Sequence, residues 1–214
     1  MTARGGLRRF VGEPTEPAEP AAAPQPVVER CELCGTPVEP RHGHVVDVEN
    51  RALKCTCRAC YLLFVPREAG GGRFRAVPER YLHDPGRPLS TSDWERLGVP
   101  VGSAFFLRSE AGLAGFYPSP AGATECLLDL DAWAELAAGR PLLSAAQPEV
   151  EAILIRAGDD GVECFLVPID ACYQLVGIVR MYWKGFDGGS EAREHIDGFF
   201  ADIAAQARPF APEE

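Results

Sequence analysis

At 214 residues the chain has room for one domain of ordinary size and a small appended module. Its hydrophobic fraction of 46% and charged fraction of 24% are those of a globular protein, which excludes a fibrous or wholly disordered chain. With 31 acidic against 21 basic side chains the net charge is −10, which opposes attraction to phosphate polyanions, and no apolar run is long enough to span a bilayer; neither nucleic acid nor membrane is an expected partner.

Residues 1–29 read as a disordered leader, because the repeated prolines of VGEPTEPAEPAAAPQPVVE come with few large apolar groups to repay the entropy of ordering. Arg8 and Arg9 are followed by Gly12-Glu13-Pro14 and no apolar stretch, so no export signal is expected.

Residues 30–66 form a cysteine module. Within it His44–Val48 reads as a strand, Asn50-Arg51 as a turn, and Ala52-Leu53-Lys54 as the return strand of a hairpin. The apolar run Tyr61–Val65, bounded by Pro66, is predicted to be a further strand that docks the module.

Residues 67–214 are expected to be one α+β domain. Gly70-Gly71-Gly72 breaks the chain and is not a phosphate loop, since no Gly-Lys-Ser/Thr ending follows it. Arg73–Val77 alternates as a half-buried strand does, and Ser92–Leu97 reads as a short helix. Ala104–Arg108 and Leu113–Tyr117, joined through Glu110-Ala111-Gly112, make a hairpin. The polar segment Pro118–Glu125 reads as a turn between strands, the kind of place where recognition can concentrate. Asp131 is predicted to cap a helix running to Ala138. Val150–Arg156 and Val162–Ile169 flank Gly158-Asp159-Asp160-Gly161 as a second hairpin. Two helices close the chain, one capped by Asp170 and one by Ser190, the latter with Ile196, Phe199, Phe200, Ile203 and Ala207 on one face.

The chemistry concentrates in five of the eight cysteines, spaced C-x2-C-x20-C-x-C-x2-C at Cys31, Cys34, Cys55, Cys57 and Cys60. Zinc takes four deprotonated sulfurs in a tetrahedron, and each C-x2-C pair supplies two from one tight turn. Gly35 after Cys34 suits a knuckle whose backbone turns through positive φ. The second half offers one sulfur too many. The reading adopted takes Cys57 with Cys60 and keeps Cys55 as an alternative ligand. Zinc is the expected ion, with rubredoxin-like iron as the alternative. Metal spacing in five cysteines, with Cys126, Cys164 and Cys172 scattered among apolar residues, points to a reducing cytoplasm.

His42, His44 and Asn50 lie between the cysteine pairs in the order of an HNH-type zinc nuclease. The further histidine and the basic grip on phosphate that such chemistry needs are missing, since Cys60 runs into Tyr61-Leu62-Leu63-Phe64. The two histidines are therefore expected to be solvated hairpin side chains. No catalytic triad, carboxylate pair or nucleotide fingerprint is present, so the residues make no positive case for an enzyme.

The segments Glu29–Gly35, Cys55–Cys60, Tyr117–Glu125 and Val167–Gly177 resemble an uncharacterised bacterial family whose genes lie near nickel–iron hydrogenase and hydrogenase-maturation genes. The resemblance covers nearly the whole chain after residue 28. It implies an accessory factor in hydrogenase maturation or assembly, with hydrogenase subunits or maturation factors as protein partners. The expectation from residues and resemblance together is an α+β protein with a zinc-ribbon or rubredoxin-like cysteine module packed on an antiparallel sheet with C-terminal helices.

Overall fold

A computed structural model describes residues 28–158 and 161–211. Residues 1–27, which hold nearly all of the expected leader, and Asp159 and Asp160 lie outside the described residues.

The cysteine segment builds a small antiparallel sheet. Strand β1 (Gly43–Asp47) pairs with β2 (Ala52–Thr56), and a helix α1 (Arg58–Leu63) follows at once. The third strand, β3 (Phe74–Ala76), pairs with the other edge of β1, giving the order β2-β1-β3. This strand lies beyond residue 66, so the small sheet draws on chain past the expected end of the module.

The expected strand Tyr61–Val65 is not formed. Tyr61 to Leu63 complete α1, because Arg, Ala and Leu favour helix, and the helix stops at Phe64, just before Val65-Pro66. Tyr61 is buried and its hydroxyl donates to the Val77 carbonyl at 2.9 Å. The helix lies so close to β1 that a Cβ on Gly43 would stand 2.6 Å from the Tyr61 ring.

At the end of β1 the buried carboxylate of Asp47 accepts from Arg73 Nη2 at 3.0 Å and from Asn50 Nδ2 at 2.8 Å. These bonds, Arg73 first, hold the Asp47 carboxyl well below the usual carboxylate range. A carboxyl depressed in the folded state stabilises fully above its unfolded pKa of about 3.9 and loses that contribution as pH falls below it. The stability gap between wild type and Asp47→Asn should therefore be full at neutral pH and shrink progressively as pH falls below about 4. Parallel curves across that window would show that the charge on Asp47 does not matter.

The larger sheet has seven strands in the order β10-β4-β9-β8-β5-β6-β7. In chain order these are β4 (Leu82–His83), β5 (Ser103–Ser109), β6 (Gly112–Ser119), β7 (Gly122–Cys126), β8 (Glu151–Gly158), β9 (Gly161–Pro168) and β10 (Arg208–Pro209). All neighbours are antiparallel except β10 against β4. Both expected hairpins are present. The polar segment Pro118–Glu125 is itself a hairpin: β6 runs to Ser119 and β7 begins at Gly122, with Ser119 Oγ donating to the Gly122 carbonyl at 2.9 Å.

Helices cover this sheet on both faces. Alternation along β8 sends Ala152 and Leu154 to one side and Ile153 and Ile155 to the other, and all four are buried. The first side meets α4 (Ile169–Tyr182) and α5 (Gly189–Gln206) through Leu175, Val176, Phe199 and Phe200. The second meets α2 (Thr91–Arg96) and α3 (Leu130–Ala138) through Trp94, Trp133 and Leu136. Burial on both sides is why these strands read as continuous apolar runs. Helix starts differ from expectation by a residue or two: Asp129 caps α3, Asp170 lies in the first turn of α4, and Gly188 precedes α5. No helix among the described residues is long and apolar enough to cross a membrane.

The small sheet seats on the first face. Val46 and Val77 belong to the same core as α4 and α5, with Leu53 packed against it. Polar bonds join the units as well: His44 Nδ1 lies 2.8 Å from Asp170 Oδ2, and Arg75 Nη1 donates to the Pro148 carbonyl at 3.4 Å.

Candidate metal centre

Cys31 and Cys34 stand on a tight knuckle. The Gly35 amide donates to the Cys31 carbonyl at 2.8 Å, and Gly35 takes a φ of +77°, a conformation that strains any side chain. The Glu32 amide donates to the Cys55 carbonyl and the Cys55 amide donates to Glu32 Oε1, both at 2.9 Å, so the knuckle is fastened to the edge of β2.

The second pair is mounted differently from the expected ribbon. Cys57 occupies the N-cap position of α1 and Cys60 lies in its first turn, so a helix replaces the second knuckle. Positions three apart share one helical face, which is how this C-x2-C pair presents both sulfurs to one side.

The four sulfurs of Cys31, Cys34, Cys57 and Cys60 lie within 4.8 Å of one another. Cys34 Sγ and Cys57 Sγ are 3.7 Å apart. A tetrahedron with bonds of about 2.3 Å has edges of about 3.8 Å, so a zinc-sized ion fits between them. A disulfide needs about 2.05 Å, and all eight cysteines are free. The residues adopted from spacing are thus the ones that the fold brings together.

The electrostatics are those of a cation site. The Thr36 hydroxyl and amide pull the Cys34 thiol down to about 6. At Cys31 burial acts upward but is outweighed by the amides of Cys57, Leu33 and Cys34, leaving the thiol lowered. Cys60 goes the other way, pushed up to about 12 by burial and by bonding to the other three sulfurs. Four adjacent thiolates cannot all ionise without a counter-charge, and a divalent cation supplies it by displacing the remaining protons. With four protein sulfurs the coordination is closed. Such a centre holds structure or passes an electron; it leaves no position for substrate.

Cys55 stands outside the tetrahedron and is grouped instead with His42 and His44, one donor atom from each lying within 4.8 Å of the others. The two histidines are not the solvated side chains expected from sequence. Their rings are 4.8 Å apart, and the His42 side chain is only 9% exposed. Part of the signal lay in the hairpin: His44 on β1 pairs with Cys55 on β2, and His42 stands just before β1 begins. Asn50 and His44, ordered as in an HNH site, are engaged by separate carboxylates, Asp47 and Asp170.

The remaining cysteines are thiols held protonated. Burial pushes Cys164 up to about 12, Cys172 well above the ordinary range and Cys126 upward. His195 stacks on Tyr182 at 3.6 Å, away from any of these groups.

Residues 30–207 match the model of a family described as a family of unknown function (DUF5947), and the chain belongs to that family. No curated protein and no solved structure matches it.

Proposed function

We propose that this member of a family of unknown function is a non-enzymatic accessory protein that carries zinc in the Cys31, Cys34, Cys57 and Cys60 tetrathiolate. The observation behind this reading is the sulfur geometry: four sulfurs within 4.8 Å of one another, with the Cys34–Cys57 pair at 3.7 Å, close to the edge of a zinc tetrathiolate. The zinc fixes knuckle, hairpin and helix into a rigid surface. Leu62, Leu63 and Val65 are exposed on and just beyond α1, beside the metal, and give that surface an apolar face for a protein partner.

Service to a nickel–iron hydrogenase or its maturation proteins is part of the same proposal. It rests on the resemblance of the cysteine segments and of Tyr117–Glu125 and Val167–Gly177 to the family described above. Iron in the same four thiolates is the competing occupant and would make the module an electron carrier.

Elemental analysis and an absorption spectrum of anaerobically purified protein test the metal. A colourless protein that retains zinc through dialysis supports the proposal. A red protein that bleaches on reduction replaces it with the electron carrier, and a protein that holds neither ion removes both. Affinity capture of the native protein tests the partner separately: recovery of hydrogenase subunits or maturation factors supports the assembly role, and their absence removes that role while leaving the zinc centre standing.

A further inference from the structure

The hairpin carries a set of metal donors that the tetrathiolate does not use. His42, His44 and Cys55 come together because antiparallel pairing sets His44 opposite Cys55, and the chain entering β1 brings the His42 ring to 4.8 Å from that of His44. Both rings are held from behind. His44 Nδ1 lies 2.8 Å from Asp170 Oδ2, and His42 Nδ1 lies 2.7 Å from the Glu39 carbonyl.

These bonds decide which nitrogens remain available. A carbonyl only accepts, so His42 Nδ1 carries the proton and Nε2 presents a lone pair. That Nε2 is buried and has no hydrogen-bond partner, although the side chain is more than nine-tenths buried. Buried polar atoms in native proteins have partners, and an orphaned imidazole nitrogen beside a second imidazole and a thiol is the atom a metal ion satisfies.

We propose that His42, His44 and Cys55 bind a second divalent transition-metal ion of the zinc class through two imidazole nitrogens and one thiolate, with the fourth coordination position left to solvent or an incoming ligand. The donor types fit: imidazole and thiolate suit zinc and its neighbours, whereas calcium and magnesium require oxygen. The outer contacts fit too. Ligating histidines usually donate their other ring nitrogen to a carboxylate or carbonyl, and Asp170 and Glu39 supply one of each.

Two carboxylates stand close to the donors. The Glu29 carboxylate is 3.9 Å from His42 Nδ1, and Glu32 is bonded to the Cys55 amide. His42 and His44 line a cleft of about 1250 Å³ together with Tyr61, Arg80 and Gln174. Where the tetrathiolate is closed, this site keeps an open position facing that cleft, the arrangement of an exchangeable or reactive centre. The inference rests on the zinc reading above only in that the tetrathiolate holds the hairpin in register.

Anaerobic titration of the metal-free full chain with cobalt(II) tests it. The expected result is two equivalents bound, one with the strong charge-transfer absorption of four thiolates and one with the weaker absorption of a single thiolate. Cys55→Ser and His42→Ala should each lower the stoichiometry from two to one and keep the tetrathiolate spectrum. That retained spectrum certifies that the variants are folded. Native mass spectrometry of the wild type loaded with zinc(II) needs no variant and should show two ions per chain. One ion per chain, with titrations of wild type and Cys55→Ser superimposable, would overturn the second site. Persistence of the four-thiolate absorption in Cys34→Ser would instead count against the tetrathiolate reading, so the two failures are distinguishable.

Discussion

Cys57→Ser is expected to abolish metal binding by the four-cysteine group and to unfold residues 30–77 while the seven-stranded sheet stays folded. A segment of this size buries too little to hold itself: its core comes down to Cys31, Val45, Val46, Tyr61 and Val77. A structural zinc ion contributes on the order of 10 kcal/mol to such a fold. Cys57 holds the N-cap position of α1 without a side-chain cap bond, and serine suits that position, so the variant removes the sulfur and leaves the helix start intact. Hydrogen exchange should show loss of protection in β1, β2 and β3, with β8 and β9 still protected, and a chelator should reproduce that pattern in the wild type. Full protection of β1–β3 in the metal-free protein would mean that packing of Val46, Leu53 and Val77 on α4 and α5 suffices without the ion.

Arg80→Ala is expected to destabilise the main domain by about 3 kcal/mol, toward the lower end of what breaking a buried ion pair costs because the arginine is partly exposed. Glu151, fully buried at the start of β8, accepts from Arg80 Nε at 2.5 Å and Nη2 at 2.8 Å, and from the Gln147 amide at 2.8 Å. Removing the guanidinium leaves a carboxylate without its counter-charge in an apolar setting, whereas Glu151→Gln in the same background removes the stranded charge. Denaturant unfolding should therefore find the double variant more stable than Arg80→Ala alone. A loss below about 1 kcal/mol for Arg80→Ala would indicate that water reaches Glu151. Arg80 also donates to the Ala145 carbonyl at 3.2 Å, which ties the chain leaving the small sheet to the segment entering β8.

Much of the fold was legible wherever a signal is local. The hairpins around Gly112 and Gly161, the short helix at Thr91–Arg96 and the two C-terminal helices follow from turn residues, caps and periodicity acting within about a dozen positions. Tyr61–Val65 failed as a strand because a five-residue apolar run has no period to decide between strand and helix. The helix-favouring Arg58, Ala59, Leu62 and Leu63 decided it, in a helix that starts after Cys57. The α2 and α3 face was missed for a similar reason: a strand buried on both sides announces its burial but not what covers it.

At the cysteine cluster the C-x2-C pairs named the four residues that the fold brings together, since two sulfurs three residues apart are gathered by one turn of backbone whether knuckle or helix. Sequence by itself thereby determined the four-cysteine group and left one surplus cysteine. Only the tertiary structure decided where that cysteine stands. The ladder register sets Cys55 opposite His44, and the docking of the small sheet brings Asp170, 126 residues away, onto the back of the same imidazole. Short-range spacing is fixed by covalent geometry and can be read along the chain. A site assembled across a ladder and between two packed units depends on a register and a burial that no local stretch encodes.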